Sequence, residues 1–453
     1  MLLSLLITLP CFGVEIGSKH FQIKISFKKE IGFKMKMNKY TLLAATISAA
    51  LLAPTASAVD FNGYMRAGTG ISGNGDGDLS FEKNKVGRLG NENDNYSEFG
   101  FAQDLETGEQ TWRLESMIAS GVDGSNGWED GDFNVAQFAV KAKGVLEFDK
   151  EATLWAGKTY YQRKDIHITD FYFLNTSGTG GGVENISLGN TKFSIALMQD
   201  NGSQDSNTDK YDWKPGTNPG DAPTWGVIGK ESEEVNAYIL DMRLANINLW
   251  SDASLEVAAA YNFATAGDDQ DLKADDGVML SAILQQGLSN GFNQTVVQFG
   301  TSSYGAQMAS LGAGAWFDRS GDNNDVTGYR LINWGVMNFG QSWEMGHQAL
   351  YASSDYDQGT HSLASVVVRP MYKWNDTMRT IFEVGYFTES LADDTDKAGS
   401  KVTVAQAWAM GDSFWARPEI RVYGSYITDD EGTTFGEKGD GEYVAGIQVE
   451  AWW

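Results

Sequence analysis

The last eleven residues, Tyr443 to Trp453 (YVAGIQVEAWW), alternate in character. In an extended strand, successive side chains point to opposite faces. Tyr443, Ala445, Ile447, Val449, Ala451 and Trp453 then form one wholly apolar face. Val444, Gly446, Gln448, Glu450 and Trp452 form the other, with Trp452 as an aromatic on the polar side. The same period recurs along the chain. Phe61, Gly63, Met65 and Ala67 oppose Asn62, Tyr64, Arg66 and Gly68, and Lys192 to Leu197 alternates as cleanly. From Phe414 to Tyr423, Phe414, Ala416, Pro418, Ile420 and Val422 oppose Trp415, Arg417, Glu419, Arg421 and Tyr423. Acidic, Gly- and Asn-rich breaks at Gly73–Asp78, Asp200–Thr224, Ala266–Gly277, Ser320–Gly328, Ala392–Ser400 and Thr428–Gly441 read as turns and loops. No shift in composition marks a domain boundary.

Alternation alone suits a soluble sandwich as well as a membrane barrel. Three features favour the barrel. Met37–Ala58 has a basic residue, an apolar run and Ala56-Ser57-Ala58, the pattern of a cleaved secretory signal, which predicts a mature start at Val59. A transmembrane anchor is the rival reading, opposed by Pro54 and the small-residue end. Residues 1–36 open on a second apolar run and read as an upstream extension, with the true start at Met37 or Met35. The terminal strand has an unbroken apolar face ending in Trp453, as a lipid-facing strand requires. The polar face carries opposite charges such as Arg417 and Glu419, which a wet lumen tolerates better than a soluble core. After Ala58 no uncharged apolar run reaches the roughly 18 residues that a spanning helix needs. Residues 59–453 therefore form one transmembrane antiparallel β-barrel domain, with length for about 16 to 18 strands of about ten residues.

Composition agrees: 52 Gly and 12% aromatic residues with only 7 Pro suit many strands and polar turns. Net charge is −26, and because residues 1–58 hold seven lysines and two glutamates, the remainder carries −31. Such acidity, with no basic patch, excludes a nucleic-acid partner. Cys11 is the only cysteine, so the mature chain has no thiolate metal site. His20, His167, His347 and His361 form no pair at ligand spacing, and no metal or other cofactor is expected. The acidic run Asp268-Asp269-Gln270-Asp271 has the oxygen ligands of a structural Ca2+ site, although such runs more often are solvated turns. No nucleophile motif accompanies His347 or His361, and no enzymatic activity is expected.

On the inferred lumen face, aromatics recur beside charges. Tyr64 shares a face with Arg66, Tyr96 with Glu98, Trp415 with Arg417 and Trp452 with Glu450. Sugars demand that combination, since their C–H faces stack on rings while their hydroxyls need donors and acceptors. The competing reading places these rings in an interfacial girdle, but girdle residues point to lipid and these have the opposite parity.

Eight ordered segments resemble the maltoporin family. They are VDFNGYMRAG (59–68), RLGNENDNY (88–96), LWAGKTYYQRKDIHITDFYF (154–173), VENISLG (183–189), GFNQTVVQF (291–299), VRPMYKW (368–374), GDSFWARPEIRV (411–422) and the final AWW. The resemblance implies an 18-stranded barrel with an inward-folded constriction loop, assembled as a homotrimer among the lipid and lipopolysaccharide of a Gram-negative outer membrane. It implies facilitated diffusion of maltose and maltodextrins along a "greasy slide" of aromatics at Tyr64, Tyr96, Trp128, Phe292, Trp415 and Trp452. An ionic track would comprise Arg66, Arg88, Glu98, Arg163, Asp165 and Asp170, with Tyr172 narrowing the bore. The sequence departs from the pattern at Ala136, where the family often has an arginine, and at Asn175, where aspartate is common. A sucrose-type or general diffusion porin is the alternative, and Arg163 with Tyr172 favours maltodextrins.

Overall fold

The computed structural model describes residues 59–453 except 76, 78, 123–132, 215–223, 312–315, 431–433 and 436–440. The expected leader (37–58) and the upstream segment (1–36) lie outside the described residues. The alternating segments pair antiparallel, each with its sequence neighbour, and the sheet closes when Asp60–Ser72 pairs with Gly441–Trp452. Tyr64 is opposite Trp452 and Ser72 opposite Val444 across this seam. The result is a closed barrel of 18 strands. Closure leaves the 18-stranded wall no open edge, so its strands satisfy one another's backbone groups without water.

One expectation fails here. Asp200–Thr224 is not simply a loop, because Gly202–Lys214 pairs with the outer part of the long strand Thr224–Trp250. The hairpin projects beyond the wall. Its acidic composition marks exposure to water rather than absence of strand.

The ends differ. At one end the strands join through short connections such as Thr107 to Gln110, Leu188 to Thr191 and Trp250 to Ala253, and Val59 and Trp453 lie there too. At the other end the connections are mostly long, including 73–94, 160–177 and 302–326. Short turns inside and long loops outside are the usual polarity of an outer-membrane barrel.

Outward residues match the parity reading. Val402, Val404, Ile420, Val422 and Ile447 are exposed, while their neighbours Lys401, Thr403, Arg421 and Gln448 are buried. Two aromatic belts bound this apolar band. Trp453 lies 5.4 Å from Phe61 and 6.1 Å from Phe99 at the short-turn end, where Trp343, Tyr372 and Trp374 also cluster. Tyr426–Tyr443 and Tyr329–Tyr351 stand near the long-loop end. Rings at both interfaces with aliphatic side chains between them define the hydrophobic thickness. No helix among the described residues is long and apolar enough to cross a membrane.

Inside, charged side chains are dry rather than wet. Glu383 and Lys401 are fully buried, with Lys401 Nζ 2.6 Å from Glu383 Oε1 and Arg369 Nε 2.5 Å from Glu383 Oε2. Arg379 and Arg421 both pair with Glu419, the latter at 2.9 Å. The expectation of a solvated charged wall is corrected for this sector, because the first loop covers Glu383 and Lys401 and the turn before Glu419 covers Arg379. Burying these charges is tolerable only because each has an opposite partner.

Candidate functional site

The first long loop turns into the barrel and ends against strands Met378–Ser390, Asp396–Ala409 and Glu419–Asp429. Its single helical turn, Lys83–Val86, buries Lys85, whose Nζ donates to Glu389 Oε2 at 2.7 Å. The Leu89 carbonyl accepts from Lys401 Nζ at 2.7 Å and from Thr403 Oγ1 at 3.1 Å. Two glycines permit the fit. Gly87 (φ +94) faces the Glu383 carboxylate and Gly90 (φ +61) the Tyr423 ring, so a Cβ would collide at either and would be strained besides.

The third loop is rooted between Thr153–Thr159 and Gly178–Leu188, yet its hydrogen bonds are made on distant strands. Thr169 Oγ1 donates to Gln348 at 2.6 Å, Gln298 Nε2 donates to the Phe173 carbonyl at 2.8 Å, and Arg369 Nη2 donates to the Ile168 carbonyl at 3.1 Å. Those partners stand across the barrel, so the loop traverses the interior. The two loops also meet, with the Arg88 amide donating to the Ile168 carbonyl at 3.0 Å.

Between them, and against the closure seam, the sequence-identified residues converge. Tyr64 and Tyr96 have ring centroids 6.1 Å apart. Tyr64 OH donates to Glu450 Oε1 at 3.0 Å and accepts from Arg88 Nη2 at 2.7 Å. The Arg417 guanidinium lies 4.4 Å over the Trp452 ring and holds Glu450 Oε2 at 2.7 Å. His167, from the third loop, packs 5.5 Å from Trp415 and 5.6 Å from Trp452. These rings form one aromatic side.

Charged groups lie against these rings. Arg66 forms two hydrogen bonds with Asp94, at 2.9 and 2.7 Å, and reaches Glu92 at 3.3 Å and Asp170 at 3.7 Å. Glu98 accepts from Tyr96 OH at 2.6 Å and from Tyr160 OH at 3.1 Å. Arg163 is stacked between Tyr160 (3.7 Å) and Tyr172 (4.6 Å). Stacking occupies the faces of the guanidinium and keeps its N–H fork in plane, toward whatever passes. Burial alone would raise the Glu92 carboxyl, but Arg88, Arg66 and Lys83 overcome it and hold it at about 2. Asp165 shifts upward, since burial outweighs Arg163 beside it.

Not every expected residue joins. Phe292 is on a strand across the barrel and packs 5.1 Å from Trp334. Trp128 lies outside the described residues. Ala136 is buried and brings no charge, and Asn175 Oδ1 accepts from the Ser177 amide at 3.1 Å. Phe414 corrects the parity reading. Expected on the apolar outer face, it is buried 6.5 Å from His167, and its amide donates to Glu344 Oε2 at 2.7 Å. Residues 410–418 form a turn rather than a strand, so alternation does not apply before Glu419. Sequence reasoning missed Lys83, Glu92, Asp94 and Tyr160. All four stand within or beside the segments RLGNENDNY and TYYQRK, where charge density was the available signal. Among the described residues no group of three or more His, Cys, Asp or Glu is placed to hold a metal, the Asp268–Asp271 run included.

A closed barrel with aromatic belts and a polar, loop-narrowed interior is a porin of the Gram-negative outer membrane. Residues 59–453 match the LamB porin family, and the chain belongs to it. It is 57% identical over 445 residues to a maltoporin of Vibrio cholerae, covering 93% of this chain and 100% of the relative. It is 43% identical to a maltoporin of Photobacterium profundum (92% of this chain, 100% of the relative). With maltoporin 1 of Klebsiella pneumoniae it shares 35% identity (91% and 98%). Among solved structures, the outer-membrane protein OpdK of Pseudomonas aeruginosa aligns with a TM-score of 0.50 at 9% identity, covering 88% of this chain and all of OpdK. That likeness concerns fold alone.

Proposed function

We propose that the protein is a passive outer-membrane channel for maltose and longer maltodextrins, working as a trimer in contact with lipopolysaccharide. The observation that supports it most is the close association of ring faces with charged groups in the bore. Tyr64, Tyr96, Trp415 and Trp452 offer ring faces to the C–H surface of glucose units, while Arg66, Arg88, Glu98, Arg163, Asp165 and Asp170 offer donors and acceptors to their hydroxyls. Phe292 would extend the aromatic path, Trp128 would join it as the resemblance implies, and Tyr172 beside Arg163 would narrow it. Successive weak subsites let a chain slide without being trapped. Relatives bearing the name maltoporin agree with this reading. No covalent step and no bound cofactor is needed.

Liposome swelling tests it. Maltotriose should permeate with saturation and faster than sucrose or raffinose. Equal, unsaturable permeation of these sugars would replace the reading by that of a general diffusion porin.

A further inference from the structure

Lys83 is a cation in the bore that the slide and track do not include. It begins the single helical turn of the first loop, and its side chain is a quarter exposed. Its Nζ lies 2.8 Å from Asp170 Oδ2 on the third loop and also contacts Glu92 Oε1. Glu92 is shared with Arg66 (3.3 Å) and Arg88 (2.5 Å). The ammonium therefore continues the row of cations formed by Arg88 and Arg66. On its far side is a cavity of about 260 Å3 bordered by Lys83, Asp170, Tyr172, Asn175, Gln307 and Arg330. Asp170 and Tyr172 belong both to this cavity and to the narrow passage, so Lys83 stands where one opens into the other.

The charge balance gives it a task. Asn175 beside the cavity is neutral. Among the described residues, the cations paired with the Asp170 carboxylate are Arg66, at 3.7 Å, and Lys83, at 2.8 Å. An ammonium has three donors and rotates freely on its stem, so two can hold carboxylates while the third meets a ligand oxygen.

We propose that Lys83 is a sugar-binding residue where the cavity opens into the constriction, donating to a glucan hydroxyl. The inference rests on the maltodextrin reading above. A merely structural Lys83 would pin the first loop to the third and touch no sugar.

Titration of single-channel current with maltohexaose separates the cases, using the full-length chain reconstituted in planar bilayers. Lys83→Met should weaken maltohexaose block about tenfold, the worth of one charge-assisted hydrogen bond. Lys83→Arg should restore it to within about twofold, since the donor and charge return. Both variants should keep the wild-type heat-modifiable migration. Affinity unchanged in Lys83→Met, or equally lost in Lys83→Arg, would overturn the proposal. If Lys83→Met loses the folded barrel, Lys83→Gln, which keeps a donor without charge, is titrated instead, and wild-type affinity there would also overturn it. A wild-type channel that maltohexaose never blocks would fail the maltodextrin reading itself, a result distinct from all of these.

Discussion

Replacing Glu450 by glutamine removes one negative charge from the centre of the seam while keeping its volume and one acceptor. The Glu450 side chain is 1% exposed. It accepts from Arg417 at 3.0 and 2.7 Å, from Arg421 at 3.4 Å and from Tyr64 at 3.0 Å, and it lies 3.2 Å from Arg88. Breaking a buried ion pair from one side costs about 3–5 kcal/mol. Two of the three guanidiniums keep a second carboxylate close by. Arg88 has Glu92 at 2.6 Å, and Arg421 has Glu419 at 2.9 Å. Only Arg417 is left with a distant one, Glu419 at 4.0 Å. The expected loss is therefore at the low end, about 3 kcal/mol. Urea-induced unfolding in detergent, followed by gel migration, should show it as an earlier midpoint for Glu450→Gln. The double variant Arg417→Met/Glu450→Gln should recover about 2 kcal/mol relative to the sum of the single changes, because neither charge is then stranded. Strict additivity would refute the pairing, and so would a wild-type midpoint in Glu450→Gln.

The other predictions concern the channel. Trp452→Ala and Tyr64→Ala should each weaken maltohexaose block about tenfold, on the order of one lost ring contact, with the barrel still folded. Trp453→Ala should leave affinity unchanged and slow membrane assembly, as read by the time course of folded species. Tyr172→Ala should widen the passage, raising conductance and admitting raffinose in liposome swelling. Glu92 is held at about 2 from an ordinary 4.5, so its stabilising pairs are complete above about pH 4.5 and are lost as pH falls toward 2. Single-channel current should stay steady from neutrality to that point and turn noisy below it, and Glu92→Gln should be noisy at neutral pH.

Much of the wall was legible because its code is local. Parity alone separated Trp453 from Trp452, and the structure puts the first beside Phe61 and the second beneath Arg417. Parity misled at Phe414, where the chain had already left the strand. It was silent about the interior filling. Lys85 meets Glu389 and Leu89 meets Lys401 across some three hundred residues of sequence, and no periodicity encodes such contacts. For the same reason nothing in the sequence singled out Lys83. The convergence of Arg66 on Asp170 depends on two loops folding inward at once. Family resemblance supplied their names, but proximity came only with coordinates.

The seam has a consequence for biogenesis. Tyr64 and Trp452 are opposite each other only in the observed register of the first and last strands. A barrel zipped two residues out of step would keep its apolar exterior, since strand faces repeat every second residue. It would nevertheless bring Tyr64 away from Glu450 and scatter the rings. An apolar exterior cannot distinguish that register from the observed one, so the choice of closure falls to interior pairs such as Tyr64 with Glu450.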